Sequence, residues 1–294
     1  MVQKRLFGVV EVKLAPLIWS SLILIIAQII ALYTAFREKD FIEANQIAPP
    51  QVSLTLPVLY FFGAVLVLGV ILFLLPIDKL RMVFKIMFTV LFAWGIFITL
   101  GLSLPMLAAL LISLAGGLMW YFKPRVWLHN LLMIFALASV GAVFGTLLSP
   151  WTTVSFMVVI SVYDILAVRF GYMLWMVKKL SEVETLPAFV IPKKISIWNL
   201  NLKEAGLKRL LEDKTAEREF SILGGGDIGF PLMLIVSVFF VYGFANSTIV
   251  AMFSLFGLIS VFIIHLFFLK GKPMPALPPI TLMSLIGYLV VYFT

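Results

Sequence analysis

Asp164 and Asp227 lie in stretches apolar enough to cross a membrane, and no other acidic residue does. An ionised carboxylate in hydrocarbon is costly, so a chain that keeps two is expected to use both. Two such groups facing each other can share a proton. The ionised member takes a proton from a water as that water attacks a carbonyl, while the protonated member donates to the carbonyl oxygen. This is the chemistry of an aspartic dyad hydrolysing a peptide bond. The same residue types also suit a transporter coupled to carboxylate protonation, and residue physics alone leaves the two readings level.

The flanking residues are unusual. Asp164 closes Val162-Tyr163-Asp164, and Asp227 follows Gly224, Gly225 and Gly226. Three glycines weaken the start of a helix and let an extended substrate or another helix approach the backbone closely. Gly229 and Pro231 continue the irregularity. The Tyr163 hydroxyl either orients a carboxylate or substrate, or belongs to a buried structural ring. A third feature is Pro275-Ala276-Leu277-Pro278, followed by Pro279. So many prolines leave free carbonyls and a stiff segment, read alone as a kinked helix start and together with the acids as a wall of the site. Arg169, five residues after Asp164, is poorly spaced to pair with it and reads as an interfacial snorkelling residue or a weak electrostatic influence on the acids.

The elements that must hold these residues follow from composition. Hydrophobic residues make up 63% of the 294 residues and charged ones 12%, with a mean hydropathy of +1.13. The apolar residues fall in runs of about 20, the length of a membrane-spanning helix. The runs are continuous rather than alternating, which excludes a β-barrel. The expected fold is an all-α polytopic membrane protein of nine transmembrane helices. The spans are approximately 14–35, 52–75 (with Pro57 able to bend it), 82–100, 102–121, 127–148, 152–173, 220–242, 246–268 and 276–292. The first reads as retained rather than cleaved, because its apolar run is too long and has no small-residue cleavage site.

Charge supports that count. Lys4, Arg5 and Lys13 precede the first span, and every second connection is basic: Lys79, Arg81 and Lys85, then Lys123 and Arg125, then the long sixth connection, then Lys270 and Lys272. Positive-inside bias therefore puts the amino terminus in the cytoplasm and the carboxyl terminus outside. The net charge of +8 reads as anchoring to anionic headgroups rather than nucleic-acid binding. The chain is expected to be one membrane domain, 1–294, with six helices in 1–176, a cytoplasmic connection over 177–219 and three helices in 220–294. In that connection, 188–191 and 195–198 suggest extended segments, and 201–219 a charged, partly helical surface segment whose Leu207, Leu210 and Leu211 rest on lipid or on the bundle. The whole reads either as a flexible linker or as a gate facing the substrate.

Other chemistries fit poorly. There is no cysteine, so disulfides, thiolate catalysis and cysteine metal sites are excluded. His129 and His265 sit on different spans with no acids nearby and outside any His-Glu-x-x-His pattern, so both read as structural or interfacial. Ser161 and Ser181 have no basic partner in sequence. No cofactor-binding fingerprint or metal-ligand set is present.

Tyr163-Asp164, Gly224-Gly225-Gly226-Asp227 and Pro275-Ala276-Leu277-Pro278, in that order on spans six, seven and nine, together resemble the motifs of the presenilin and signal-peptide-peptidase family of intramembrane aspartyl proteases. The resemblance covers essentially the whole chain and is nearest to a microbial, archaeal presenilin homologue. It implies that Asp164 and Asp227 are catalytic and cleave transmembrane-helix substrates within the bilayer without a cofactor. It implies that Tyr163, Gly224, Gly225, Gly226 and the Pro275–Pro278 segment help position substrate, and that strands around the long connection pair with the unwound substrate. It also implies a multi-pass protein of the cell membrane, here a prokaryotic plasma membrane, and it does not imply an obligate protein partner. The charge alternation matches the presenilin orientation.

Overall fold

The computed structural model describes residues 2–47, 53, 55–182, 185–194, 197–202, 220–265 and 274–294. Its helices are α1 (Val2–Ala44), α2 (Thr55–Leu74), α3 (Ile77–Gly101), α4 (Met106–Phe122), α5 (Val126–Leu147), α6 (Pro150–Arg169) and α7 (Tyr172–Glu182). A hairpin of β1 (Ala188–Pro192) and β2 (Phe220–Gly224) follows, then α8 (Gly225–Tyr242), α9 (Phe244–Ile264) and α10 (Leu277–Phe293). The bundle is thus almost wholly helical, with one small antiparallel sheet beside it.

Among the described residues, α1 from Leu14 onward, α2, α3, α5, α6, α8 and α9 are long and apolar enough to cross a membrane. α4 and α10 are equally apolar in character but have 17 residues each, about 25 Å of rise, at the short end for a span.

Several boundaries differ from the hydropathy reading, each for a local reason. α1 continues through the charged residues expected to form a connection, because Arg37 with Asp40 and Lys39 with Glu43 pair along the helix at spacings that suit one face. Pro57 falls in the first turn of α2, where its missing N–H is harmless, so it does not bend that helix. α6 stops at Arg169 and not near Met173 because Gly171 adopts φ +74°, a left-handed conformation open to glycine. The chain then enters α7, an additional helix. The expected seventh span begins with strand, not helix. The segments 203–219, 195–196 and 266–273 lie outside the described residues, and with them most of the expected charged surface segment.

Close packing uses small residues. A Cβ on Gly141 or Gly145 of α5 would lie 2.7 Å or 2.6 Å from the Cβ of Leu232 or Val236 on α8. Only hydrogen there lets the two backbones approach. Gly257 of α9 meets the Ile280 backbone of α10 in the same way. α8 is the centre of the bundle: Leu232 and Leu234–Val236 are fully buried, and α1, α5, α6, α9 and α10 all pack on it.

The described parts of the long connection are docked. Val126 and Trp127, at the start of α5, donate to the carbonyls of Leu200 and Trp198 at 3.1 and 3.0 Å. These are amides that a helix start leaves unsatisfied. Leu186, Ala188–Ile191, Ile197 and Leu202 are buried. Over these residues the connection is part of the folded body, not a free linker.

Candidate active site

Asp164 sits five residues before the end of α6, nearer its carboxyl-terminal end than the mid-span position expected from sequence. Asp227 is the third residue of α8, whereas the sequence reading put it seven or eight residues into a helix. The difference comes from β2. Five strand residues advance the chain by roughly 16 Å where five helical residues advance it by roughly 7.5 Å. The extended segment carries the chain inward, and the helix starts at the acid. Both acids thereby lie toward the same end of their antiparallel helices.

α6, α8 and α10 pack pairwise against one another, and the two carboxyl groups come within electrostatic range of each other. The Leu277 amide, first in α10, donates to Asp164 Oδ2 at 3.3 Å, and the Ala276 amide is beside the same carboxyl. Pro278 and Pro279 have no N–H, so they remove two of the donors that the start of α10 would otherwise leave unpaired. Asp164 therefore faces the few donors that remain.

Asp227 is built in the same way. Gly224 caps α8 with ordinary angles, φ −59° and ψ 140°, so the backbone conformation does not demand glycine. Space does. A Cβ at Gly224 would lie 2.9 Å from Asp227 Oδ2, because the carboxyl turns back toward the amide of its own N-cap in the manner of a capping box. Gly225 donates to the Pro187 carbonyl at 3.0 Å, and a Cβ there would meet the same oxygen at 3.0 Å. Gly226 is more open, and its nearest obstacle is the Phe230 ring. Pro231 lacks an amide, so the Asp227 carbonyl has no helical partner four residues on. Each acid thus stands at a helix amino terminus, where the dipole and free amides favour negative charge.

Pro275 and Ala276 are half-buried just before α10, Leu277 is buried, and Pro278 lies in the first turn. Of the Pro-Ala-Leu-Pro segment, the amides of Ala276 and Leu277 are the groups that reach Asp164. Tyr163 points its ring toward α2, edge-on to Phe61 and Phe62 at centroid distances of 5.7 and 5.6 Å. Phe61 also contacts Phe156 and Phe230. Tyr163 is thus part of an aromatic cluster that ties α2 to the two acid-bearing helices. Arg169 is exposed on the last turn of α6, a favourable place for a cation at a helix end.

Ser161 was weighed in the sequence only as a nucleophile. It instead donates to Thr281 at 2.7 Å, one turn from Asp164 on one side and from Leu277 on the other. His129, expected to be structural, is fully buried with Nε2 3.0 Å from the Ala188 carbonyl. Its neighbour Asn130 was not anticipated. Two adjacent polar residues, His129 and Asn130, in the first turns of an otherwise apolar helix were the signal available for it. Among the described residues, no group of three or more His, Cys, Asp or Glu could hold a metal.

The signal-peptide peptidase, presenilin aspartyl protease family matches residues 21–294. The chain belongs to that family. This presenilin-family chain shares its fold with two solved structures of a presenilin family intramembrane aspartate protease. One, in a C222 crystal form, superposes with a TM-score of 0.61 at 21% identity, covering 94% of this chain and 97% of the other. The second, in a P2 form, gives 0.62 at 21% identity, covering 93% and 96%. No curated protein matches the sequence. This protein is therefore a polytopic membrane hydrolase of the presenilin and signal-peptide-peptidase type.

Proposed function

We propose that this protein is an intramembrane aspartic endopeptidase that hydrolyses peptide bonds within transmembrane helices, with Asp164 and Asp227 as its dyad. The observation that carries the reading is the convergence of α6, α8 and α10, which brings two acids on different helices together at amide-bearing helix starts. The acids share one proton. The ionised one accepts a proton from the attacking water, and the protonated one donates to the scissile carbonyl oxygen. Helix amino termini suit the charge that develops there.

A helical substrate must unwind before its carbonyl is accessible. The β1–β2 hairpin, which leads straight into Asp227, offers strand pairing to an unwound segment. Gly226 leaves the backbone beside Asp227 uncovered, and Tyr163 and Pro275–Pro278 line the approach. Nine spans with a cytoplasmic amino terminus, in a prokaryotic plasma membrane, fit the charge alternation and the two short apolar helices. The short connection between the acids and the motif set favour a microbial presenilin homologue acting as a single chain.

The test is a peptide mimic carrying a hydroxyl where a substrate has its scissile carbonyl. It binds the wild type and competes with substrate, because its hydroxyl takes the place of the attacking water between the acids. Binding that is equally tight in Asp164→Asn and Asp227→Asn contradicts the assignment.

A further inference from the structure

The hairpin is held from behind. The Asn130 side chain donates from Nδ2 to the Val190 carbonyl at 2.7 Å, and its Oδ1 accepts from the Val190 amide at 3.0 Å. One residue earlier, His129 Nε2 reaches the Ala188 carbonyl at 3.0 Å. Both side chains are buried, at 0% and 2% exposure. The His129 ring is packed against Phe88 and Phe92 of α3 and Trp120 of α4, so it has little freedom to turn away.

The ladder shows what this accomplishes. β1 and β2 pair antiparallel, Ala188 opposite Gly224 and Val190 opposite Ile222. In such a ladder the backbone groups of alternate residues point to opposite edges. The Ala188 carbonyl and both backbone groups of Val190 bond to α5, and the Pro187 carbonyl, on the alternate register, accepts from Gly225. Two side chains of α5 thus stand where a third strand would pair. The outer edge of β1 is closed, and the edge left for pairing is that of β2 at Ile222, since the Gly224 amide is turned to the Asp227 carboxyl. Ile222 lies five residues before Asp227. α5 also fixes α8 directly, through Gly141 and Gly145, so a single helix holds both β1, on which β2 pairs, and the helix that carries Asp227.

We infer that His129 and Asn130 are positioning residues: they hold the hairpin as a preformed strand template, so that an unwound substrate pairs with β2 in one register relative to Asp227. The assignment of a substrate to that edge rests on the proteolytic function proposed above, whereas the clamp itself does not. Breaking it is expected to loosen the hairpin, raise KM and blur the cleavage position, with kcat less affected.

Two measurements on the purified protein in lipid separate these layers. Amide hydrogen exchange compares wild type with Asn130→Leu, His129→Phe and His129→Gln, the last retaining a donor near the Nε2 position. Ser139→Ala, farther along α5, is the control, removing a buried hydrogen bond of 2.7 Å to the Gly95 carbonyl of α3. Exchange in 188–192 and 220–224 rises about tenfold or more in Asn130→Leu and His129→Phe, while 232–239 stays protected. His129→Gln stays close to wild type, as does Ser139→Ala at the hairpin. On a single-span substrate, the first two variants show KM raised about tenfold and products from extra neighbouring bonds, by mass spectrometry. Unchanged hairpin exchange in Asn130→Leu overturns the clamp. Changed exchange with wild-type KM and product register overturns its role in positioning. If either disruptive variant does not fold, loss of hairpin protection in the folded His129→Gln counts against the inference. Should the wild type cleave nothing, the protease reading fails while exchange still decides the clamp.

Discussion

The Leu277 amide and the Asp164 carboxyl meet at 3.3 Å across two helices, and a second bond one turn away, from Ser161 to Thr281 at 2.7 Å, holds them in register. The start of α10 is therefore fastened to α6 at two points. Ser161→Ala and Thr281→Val should each destabilise the protein by about 1 kcal/mol, because each leaves one buried hydroxyl unpaired. The double variant should cost less than the two together, since no orphan remains. Thermal or denaturant unfolding in the same lipid checks the cycle, and strict additivity would contradict a direct bond. The same variants should lower kcat, because the Leu277 amide shifts with α10.

The three glycines before Asp227 should not be equivalent. Gly224→Ala places a methyl 2.9 Å from the carboxyl oxygen of Asp227 and should reduce kcat/KM on the order of 10²-fold with the fold retained. Gly225→Ala meets the Pro187 carbonyl, which is backbone and tied into the hairpin, and should also be severe. Gly226→Ala meets the edge of the Phe230 ring, a side chain rather than backbone or the acid itself, and should be the mildest. Initial-rate measurements on one substrate rank them. Gly226→Ala as the worst of the three would refute this reading of the space.

Tyr163→Phe should keep activity within a few-fold of wild type and leave stability nearly unchanged, because its ring still meets Phe61 and Phe62. Tyr163→Ala loses both edge contacts, each about 0.5–1.5 kcal/mol beyond simple burial, and should loosen α2. Cysteine-accessibility labelling on α2, run beside cleavage assays, distinguishes the two. A large kcat loss in Tyr163→Phe would mean that the hydroxyl takes part in the reaction.

A dyad sharing one proton has a bell-shaped dependence of kcat/KM on pH. On the acid side, both carboxyls are protonated and the base is lost. On the alkaline side, the shared proton leaves and the acid is lost. Measured over a range of about pH 4 to pH 9, the two limbs belong to the pair, so neither Asp164→Asn nor Asp227→Asn should restore activity at any pH. A single-limbed profile would argue for one carboxylate acting alone.

Much of this architecture was legible in the sequence, because hydrocarbon imposes a simple rule: charges keep to the ends of long apolar runs, so two acids inside such runs draw attention to a candidate site. The hairpin was only half visible. Ala188–Ile191 alternates and sits between prolines, which suggested strand, whereas Phe220–Gly224 is an apolar run that reads equally as a helix start. Its strand form depends on β1, 28 to 36 residues away, and through β1 on α5 side chains that bond it across about 60 residues. The end of α6 at Gly171 turned on a single positive φ, invisible to hydropathy. Ser161, His129 and Asn130 looked like scattered polar residues in apolar helices. Their meaning lies in partners on other elements, and no spacing rule on one helix supplies those.

The central claim is tested most directly with purified protein in lipid, a labelled single-span substrate and mass spectrometry of the products. Wild type runs beside Asp164→Asn and Asp227→Asn, each shown to be folded. The account predicts cleavage inside the apolar stretch of the substrate by wild type and none by either variant. Cleavage that persists at the same bond in both variants would contradict it.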